Sequence, residues 1–138
     1  MADANPGAAA PPRVILASGS AARRSLLKDA GLAFEVALPD VDEEAIRESL
    51  SAEGNEVDPV DVAEVLARAK AEMVSREHPG ALVIGGDQVL ALDGEIYGKA
   101  ADMAEARRYL LEMRGRRHEL HAAVVLALDG ETVWSMTD

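Results

Sequence analysis

The residues able to do chemistry form a short series. Val83-Ile84-Gly85-Gly86-Asp87-Gln88-Val89-Leu90 is an apolar run, interrupted by two glycines, that delivers the carboxylate of Asp87. Upstream stands a Ser18-Gly19-Ser20 turn followed by Arg23 and Arg24, then Lys70 within a long helical pattern; downstream, Lys99 follows a tight turn. This combination of cations and carboxylates suits a metal-bound polyphosphate, because phosphoryl transfer needs positioning and charge neutralisation more than covalent help. A turn that opens a helix, as Ser18 to Ser20 does, offers backbone N–H groups and a positive helix end to an anion. Arg23 adds a bidentate donor, Lys70 and Lys99 offset phosphate charge, and Asp87 and Glu43 have the oxygen chemistry to share a magnesium-type ion. The Gly-x-x-x-x-Gly-Lys-Ser/Thr pattern is absent, which argues against a kinase-type or motor-type phosphate loop.

Each of these residues has a plainer reading when taken alone. Arg23, Arg24 and Lys28 on one helix suit a solvated face, Lys70 sits among Glu64, Arg68 and Glu72, and Lys99 ends a hairpin. Asp87 after two glycines reads equally as a turn residue, and Glu44 takes the place of Glu43 if the loop shifts by one. His118 and His121 are three residues apart in a strand pattern, on opposite faces, and are not expected to share an ion.

The elements that position these residues alternate between strand and helix. Val14 to Ala17 reads as a buried strand; Ser20 caps a helix over Ala21 to Ala30 that turns Leu26, Leu27 and Ala30 to one face and stops at Gly31. Phe34 to Leu38 is a second strand, and the acidic stretch Asp40 to Glu56 reads as a solvated loop with a short helix. Asp58-Pro59 starts a helix that runs to about Arg76, with Val62, Leu66, Ala69 and Met73 as its core stripe. Ala81 to Leu92 and Glu95 to Tyr97 flank an Asp93-Gly94 turn. Asp102 with Glu105 forms a capping box for a helix whose expected buried stripe is Met103, Ala106, Leu110 and Met113, ending at Gly115. Leu120 to Leu128, Asp129-Gly130 and Glu131 to Met136 form a hairpin, with Trp134 either packed or at an exposed edge.

Composition bounds the function. At 138 residues and 49% apolar, the chain has the size of one globular α/β domain, here residues 13–138, after an alanine- and proline-rich leader over residues 1–12 that is expected to be disordered. Fourteen basic residues against 25 acidic ones give a net charge of −11, which disfavours nucleic acid and anionic membrane surfaces and confines polyanion binding to a locally basic cleft. No apolar run approaches the roughly 20 residues needed to span a bilayer. Cysteine is absent, which excludes thiolate nucleophiles and disulfides and suits a reducing cytoplasm.

Leu16-Ala17-Ser18-Gly19-Ser20 with Arg23-Arg24 and Leu26-Leu27, Val41-Asp42-Glu43, Ala69-Lys70-Ala71, Gly86-Asp87-Gln88, Gly98-Lys99 and Gly115 with His118 resemble, in order and spacing, the Maf family of nucleoside triphosphate pyrophosphatases. The resemblance covers nearly everything from Val14 onward. It implies a fold related to the inosine triphosphatase group, a mixed twisted sheet flanked by helices with a nucleotide cleft between two lobes. It implies hydrolysis of a nucleoside triphosphate between the α and β phosphates, yielding monophosphate and pyrophosphate, with a divalent cation, magnesium or manganese. By motif, Asp87 is the carboxylate that accepts a proton from the attacking water, and Ser18, Ser20, Arg23, Glu43, Lys70 and Lys99 are cleft residues. Homodimerisation is a further family expectation.

The family's branches differ beside the catalytic aspartate, and Gln88 resembles the branch of the 7-methylguanosine triphosphate enzymes, whereas Ala22 stands where a larger specificity residue is frequent. The base is therefore left open, with a modified or pyrimidine nucleotide favoured. Ala21, Ala100 and Ala122 replace two frequent prolines and a threonine, and the family pattern continues beyond Asp138, so the domain is expected to be incomplete at its C-terminus. The resemblance also implies an association with arrest of cell division, which supplies the alternative of a non-catalytic nucleotide- or partner-binding fragment.

Overall fold

The structure, a computed structural model, describes residues 11–51 and 57–138. Most of the expected leader and the end of the acidic stretch lie outside the described residues. Ten elements follow in order: β1 (Val14–Leu16), α1 (Ala21–Asp29), β2 (Glu35–Val36), α2 (Glu43–Ser51), α3 (Pro59–Glu77), β3 (Leu82–Leu92), β4 (Glu95–Tyr97), α4 (Met103–Met113), β5 (Glu119–Leu128) and β6 (Glu131–Thr137). The strands form one mixed sheet in the order β2-β1-β3-β5-β6, with β4 paired to the far end of β3. β1 runs parallel to both β2 and β3, while β3, β5 and β6 form antiparallel pairs. The expected mixed sheet with flanking helices is present.

Local chemistry accounts for the element ends. Ser20 accepts a hydrogen bond from Arg23 N and caps α1, Asp58 caps α3 with Pro59 at its first position, and Asp102 caps α4. Both hairpins turn on Asp-Gly pairs, Asp93-Gly94 and Asp129-Gly130, in which both residues have positive φ, the geometry whose twist matches the flanking strands.

The core lies between α3 and the sheet. Val62, Ala63, Leu66, Ala67, Ala71 and Val74 pack against Ile15, Val83, Val89 and Val125, all essentially inaccessible. Burying each of the larger aliphatic side chains contributes about 1.5–3 kcal/mol. The expected stripe of α3 is rotated: Val62 and Leu66 are buried, but Ala69 and Met73 are only half-buried, and Ala63, Ala67, Ala71 and Val74 complete the face. The small residues there allow the helix to ride unusually close to β3. A side chain at Gly85 would place its Cβ 2.7 Å from the carbonyl oxygen of Ala67 and 2.7 Å from the Cβ of Ala71. The glycines therefore do not end the strand, which passes straight through them.

Two expected faces are not buried. α4 has no buried residue; Met103 and Leu110 are largely exposed, and the helix is held to β4 by a perpendicular Tyr97–Tyr109 ring contact with centroids 5.0 Å apart. Its heptad-like stripe is amphipathic, but the described residues place no layer against it. Leu26 of α1 is likewise exposed, and Trp134 stands half-exposed on β6 at the sheet's edge.

Gly85→Ala is expected to lower unfolding free energy by about 1–3 kcal/mol, the usual penalty for overpacking, whereas Gly98→Ala, which meets open space, leaves it unchanged. Urea denaturation of the two variants checks this; equal stability would show that α3 does not rest against Gly85.

Candidate active site

The site is built where α3 crosses β3. Successive β3 side chains alternate across the sheet, so Val83, Gly85, Asp87 and Val89 share the face that α3 covers. Asp87 lies one alternation beyond the tight contact at Gly85, and Lys70 lies on α3 between Ala67 and Ala71, the two residues that make the contact. Lys70 Nζ donates to Asp87 Oδ1 at 3.1 Å and forms an ion pair with Glu43. Glu43 opens α2, whose N-terminus is fixed by Asp42 Oδ1 accepting from Ala45 N at 3.0 Å. The positive end of that helix favours the charged form of Glu43.

Asp87 is only 7% exposed, and its second oxygen, Oδ2, is buried with no hydrogen-bond partner among the described residues. Burial, the largest influence, pushes its carboxyl above the ordinary value of 3.8; the charge and hydrogen bond of Lys70 oppose this without cancelling it, and Glu43 adds to the rise. Glu43 shifts the other way. Burial opposes its ionisation, but the hydrogen bond and charge of Lys70, helped by Arg47 and Lys99, hold it below 4.5. Lys70 is thus largely neutralised between two carboxylates and is not a free phosphate ligand.

The Ser18 turn forms the opposite wall. Ser18 Oγ accepts from Ser20 N and from Arg23 Nη1, both at 3.1 Å, which pins the Arg23 guanidinium over the turn. Gly86 leaves room for it, since a Cβ there would come within 3.2 Å of Arg23 Nε. Ser18, Ser20, Arg23, Glu43, Lys70 and Lys99 line an outer cleft of about 640 Å³. An inner chamber of about 490 Å³ shares Ser20, Arg23, Glu43, Lys70 and Lys99 and adds Arg47, Asp87 and Gln88. On the far face of the sheet Gln88 and Arg23 also border an apolar groove lined by Leu26, Ile84 and Val124.

Ser18, Ser20, Arg23, Glu43, Lys70, Asp87, Gln88 and Lys99 are therefore brought together. Ala22 is exposed and lines neither cavity; His118 is exposed outside them, and His121 bonds Glu119 at 3.0 Å. Sequence reasoning missed Arg47 and Tyr97, which also line the inner chamber. The signal for Arg47 was its place four residues after Glu43 in a short helix, which puts both on one face.

The family described as "Maf-like protein" matches residues 13–138. A nucleoside triphosphate pyrophosphatase of Caulobacter vibrioides is 50% identical over 125 residues, covering 91% of this chain and 61% of the relative. A 7-methyl-GTP pyrophosphatase of Mesorhizobium japonicum is 51% identical over 122 residues, covering 88% of this chain and 60% of the relative. The chain thus spans about three fifths of the length of the curated relatives it matches. Among solved structures, a HAM1 protein from Coxiella burnetii superposes with a TM-score of 0.57 at 14% identity, covering 92% of this chain and 68% of that one, a likeness that carries the fold.

The opposed shifts give stability a pH dependence. Asp87 binds its proton more tightly when folded, so its contribution is complete below about 3.8 and is lost as pH rises through the folded value; Glu43 contributes above 4.5 and loses this as pH falls through its lowered value. Removing the shared ammonium with Lys70→Met is expected to cost about 2–3 kcal/mol near pH 8, less than for a fully buried pair because the Glu43 side chain is 41% exposed. The loss shrinks toward about pH 4 as the carboxylates take up protons. Urea unfolding across that range checks it, and a loss independent of pH would contradict the triad.

Proposed function

The chain belongs to the Maf-like protein family, and from that membership and the geometry of its cleft we propose that it hydrolyses nucleoside triphosphates at the α–β anhydride, releasing monophosphate and pyrophosphate. The observation that carries this reading is the buried Asp87, held through one oxygen by Lys70 and left with the other free, beside a cleft of cations. In a chain of net charge −11, such a local concentration of arginine and lysine singles out a polyanionic ligand. The activities for which the Caulobacter and Mesorhizobium relatives are named agree with it.

In the mechanism we infer, the phosphates lie between the Ser18 turn and Lys99. Arg23, oriented by Ser18, meets phosphate oxygens with the remaining N–H groups of its guanidinium. The Asp87 carboxylate takes a proton from water as the water oxygen bonds to the α-phosphorus and the bridging oxygen departs with pyrophosphate. Burial raises the basicity of that carboxylate, while Lys70 opposes part of the rise and fixes its direction.

The residues present fit a divalent cation. Asp87 Oδ2 lacks a partner, and Glu43 is a second carboxylate on the same ammonium. Magnesium commonly takes one or two carboxylates and completes its shell with phosphate oxygens and water. When bound by Glu43 and Asp87, the ion would neutralise phosphate charge.

Gln88, at the junction of the chamber and the apolar groove, is the residue we assign to base selection, with modified or non-standard bases such as 7-methylguanine as the favoured class. Clearance of such nucleotides in a reducing cytoplasm, without nucleic acid or membrane as partner, and as a homodimer, completes the proposal. Among the described residues no helix is long and apolar enough to cross a membrane.

Asp87→Asn is expected to reduce turnover of a nucleoside triphosphate panel by about 10²–10⁴-fold with little change in nucleotide affinity. Pyrophosphate release with magnesium, beside equilibrium binding, checks this; turnover retained by the variant would remove Asp87 from the chemistry, and binding without turnover by the native chain would favour the non-catalytic reading.

A further inference from the structure

We propose that Arg47 is a further phosphate-binding side chain of this cleft, receiving the end of the phosphate chain remote from the Ser18 turn. The inference rests on the nucleotide reading and deepens it. Arg47 stands one turn after Glu43 on α2 and faces the inner chamber with it. Among the described residues it forms no ion pair, and its Nε is buried without a hydrogen-bond partner. A desolvated guanidinium N–H without an acceptor is unfavourable, so the site is incomplete until an oxygen arrives.

The other cations make the assignment specific. Lys70 is occupied by Glu43 and Asp87, and Arg23 has given one N–H to Ser18. The inner chamber holds four cations, Arg23, Arg47, Lys70 and Lys99, against two carboxylates, Glu43 and Asp87. The excess positive charge is carried by Arg23, Arg47 and Lys99, and of these Arg47 alone does not line the outer cleft that holds Ser18. A planar guanidinium fits a terminal phosphate or pyrophosphate group by paired N–H donors, a geometry that lysine does not reproduce. The ligand class is therefore an oxyanion with more than one phosphate, and the group that Arg47 meets is the one that leaves as pyrophosphate.

The test is titration calorimetry of the full chain with inorganic pyrophosphate and tripolyphosphate, with native protein, Arg47→Ala, Arg47→Lys and Arg47→Gln, each checked for a native-like melting transition. Arg47→Ala is expected to weaken pyrophosphate binding by about 10- to 100-fold, the range for hydrogen bonds to charged groups; Arg47→Lys restores only part, because charge returns without the fork. If the alanine variant fails to fold, Arg47→Gln, which keeps the length of the stem, serves in its place with the same expectation. Pyrophosphate bound equally well by native and variant protein, or not bound by native protein, overturns the proposal. Parallel turnover assays separate the two ideas. Arg47-dependent pyrophosphate binding without nucleotide turnover sinks the hydrolase reading and leaves the anion site standing. Turnover with unchanged KM and unchanged pyrophosphate inhibition in the variant sinks the Arg47 role alone.

Discussion

The close seating of α3 on β3 is the constraint on which the rest of the site depends. Gly85 is the point of contact, with the Ala67 carbonyl and the Ala71 methyl occupying the space a side chain would need. Because Lys70 lies between those alanines and Asp87 lies one alternation along the same strand face, the contact itself delivers the ammonium to the carboxylate. A larger residue at any of these small positions would lift the helix and return Lys70 to solvent. The stability of the core and the geometry of the site are thus set by the same few atoms.

Burial and pairing then act against each other on Asp87. Taking the carboxylate out of water raises its affinity for a proton, and Lys70 returns part of that. A carboxylate of raised proton affinity, with one oxygen held by Lys70 and the other without a partner among the described residues, is suited to accepting a proton from water. Glu43 completes the balance: brought to the same ammonium by the start of α2, it is held below its ordinary value while Asp87 is pushed above its own. Around this neutralised centre Arg23, Arg47 and Lys99 keep their charge available, which turns one cleft of an acidic protein into a place for phosphate.

Much of this was legible in the sequence because local rules governed it. Ser20, Asp58 and Asp102 sit where caps belong and the Asp-Gly pairs make their hairpins; of the candidate site residues taken from the motif resemblance, all but Ala22 line the two cavities. Periodicity was less informative where it depends on a neighbour. The stripe of Met103 and Leu110 is real, but amphipathicity records a preference for burial rather than the presence of a partner layer, and α4 has none among the described residues. The face of α3 was misjudged by part of a turn because alanines, which carry little hydrophobic signal, make its closest contacts. The strand expected over Ala81 to Leu92 is present, but what its two glycines do was not legible: Gly85 admits the helix and Gly86 admits Arg23. Arg47 was hidden for a related reason: on a short, acidic helix its charge looks like surface, and only the fold turns it inward.

The measurement that tests the central claim most directly is the titration of Asp87 itself, followed by carboxyl ¹³C NMR with assignment by Asp87→Asn. The account predicts a midpoint above the ordinary 3.8, moving higher when Lys70 is replaced by methionine, because desolvation dominates and the ammonium opposes it. A midpoint at or below 3.8, or one that ignores the loss of Lys70, would mean that Asp87 is neither buried nor held as described, and the site built on it would fall.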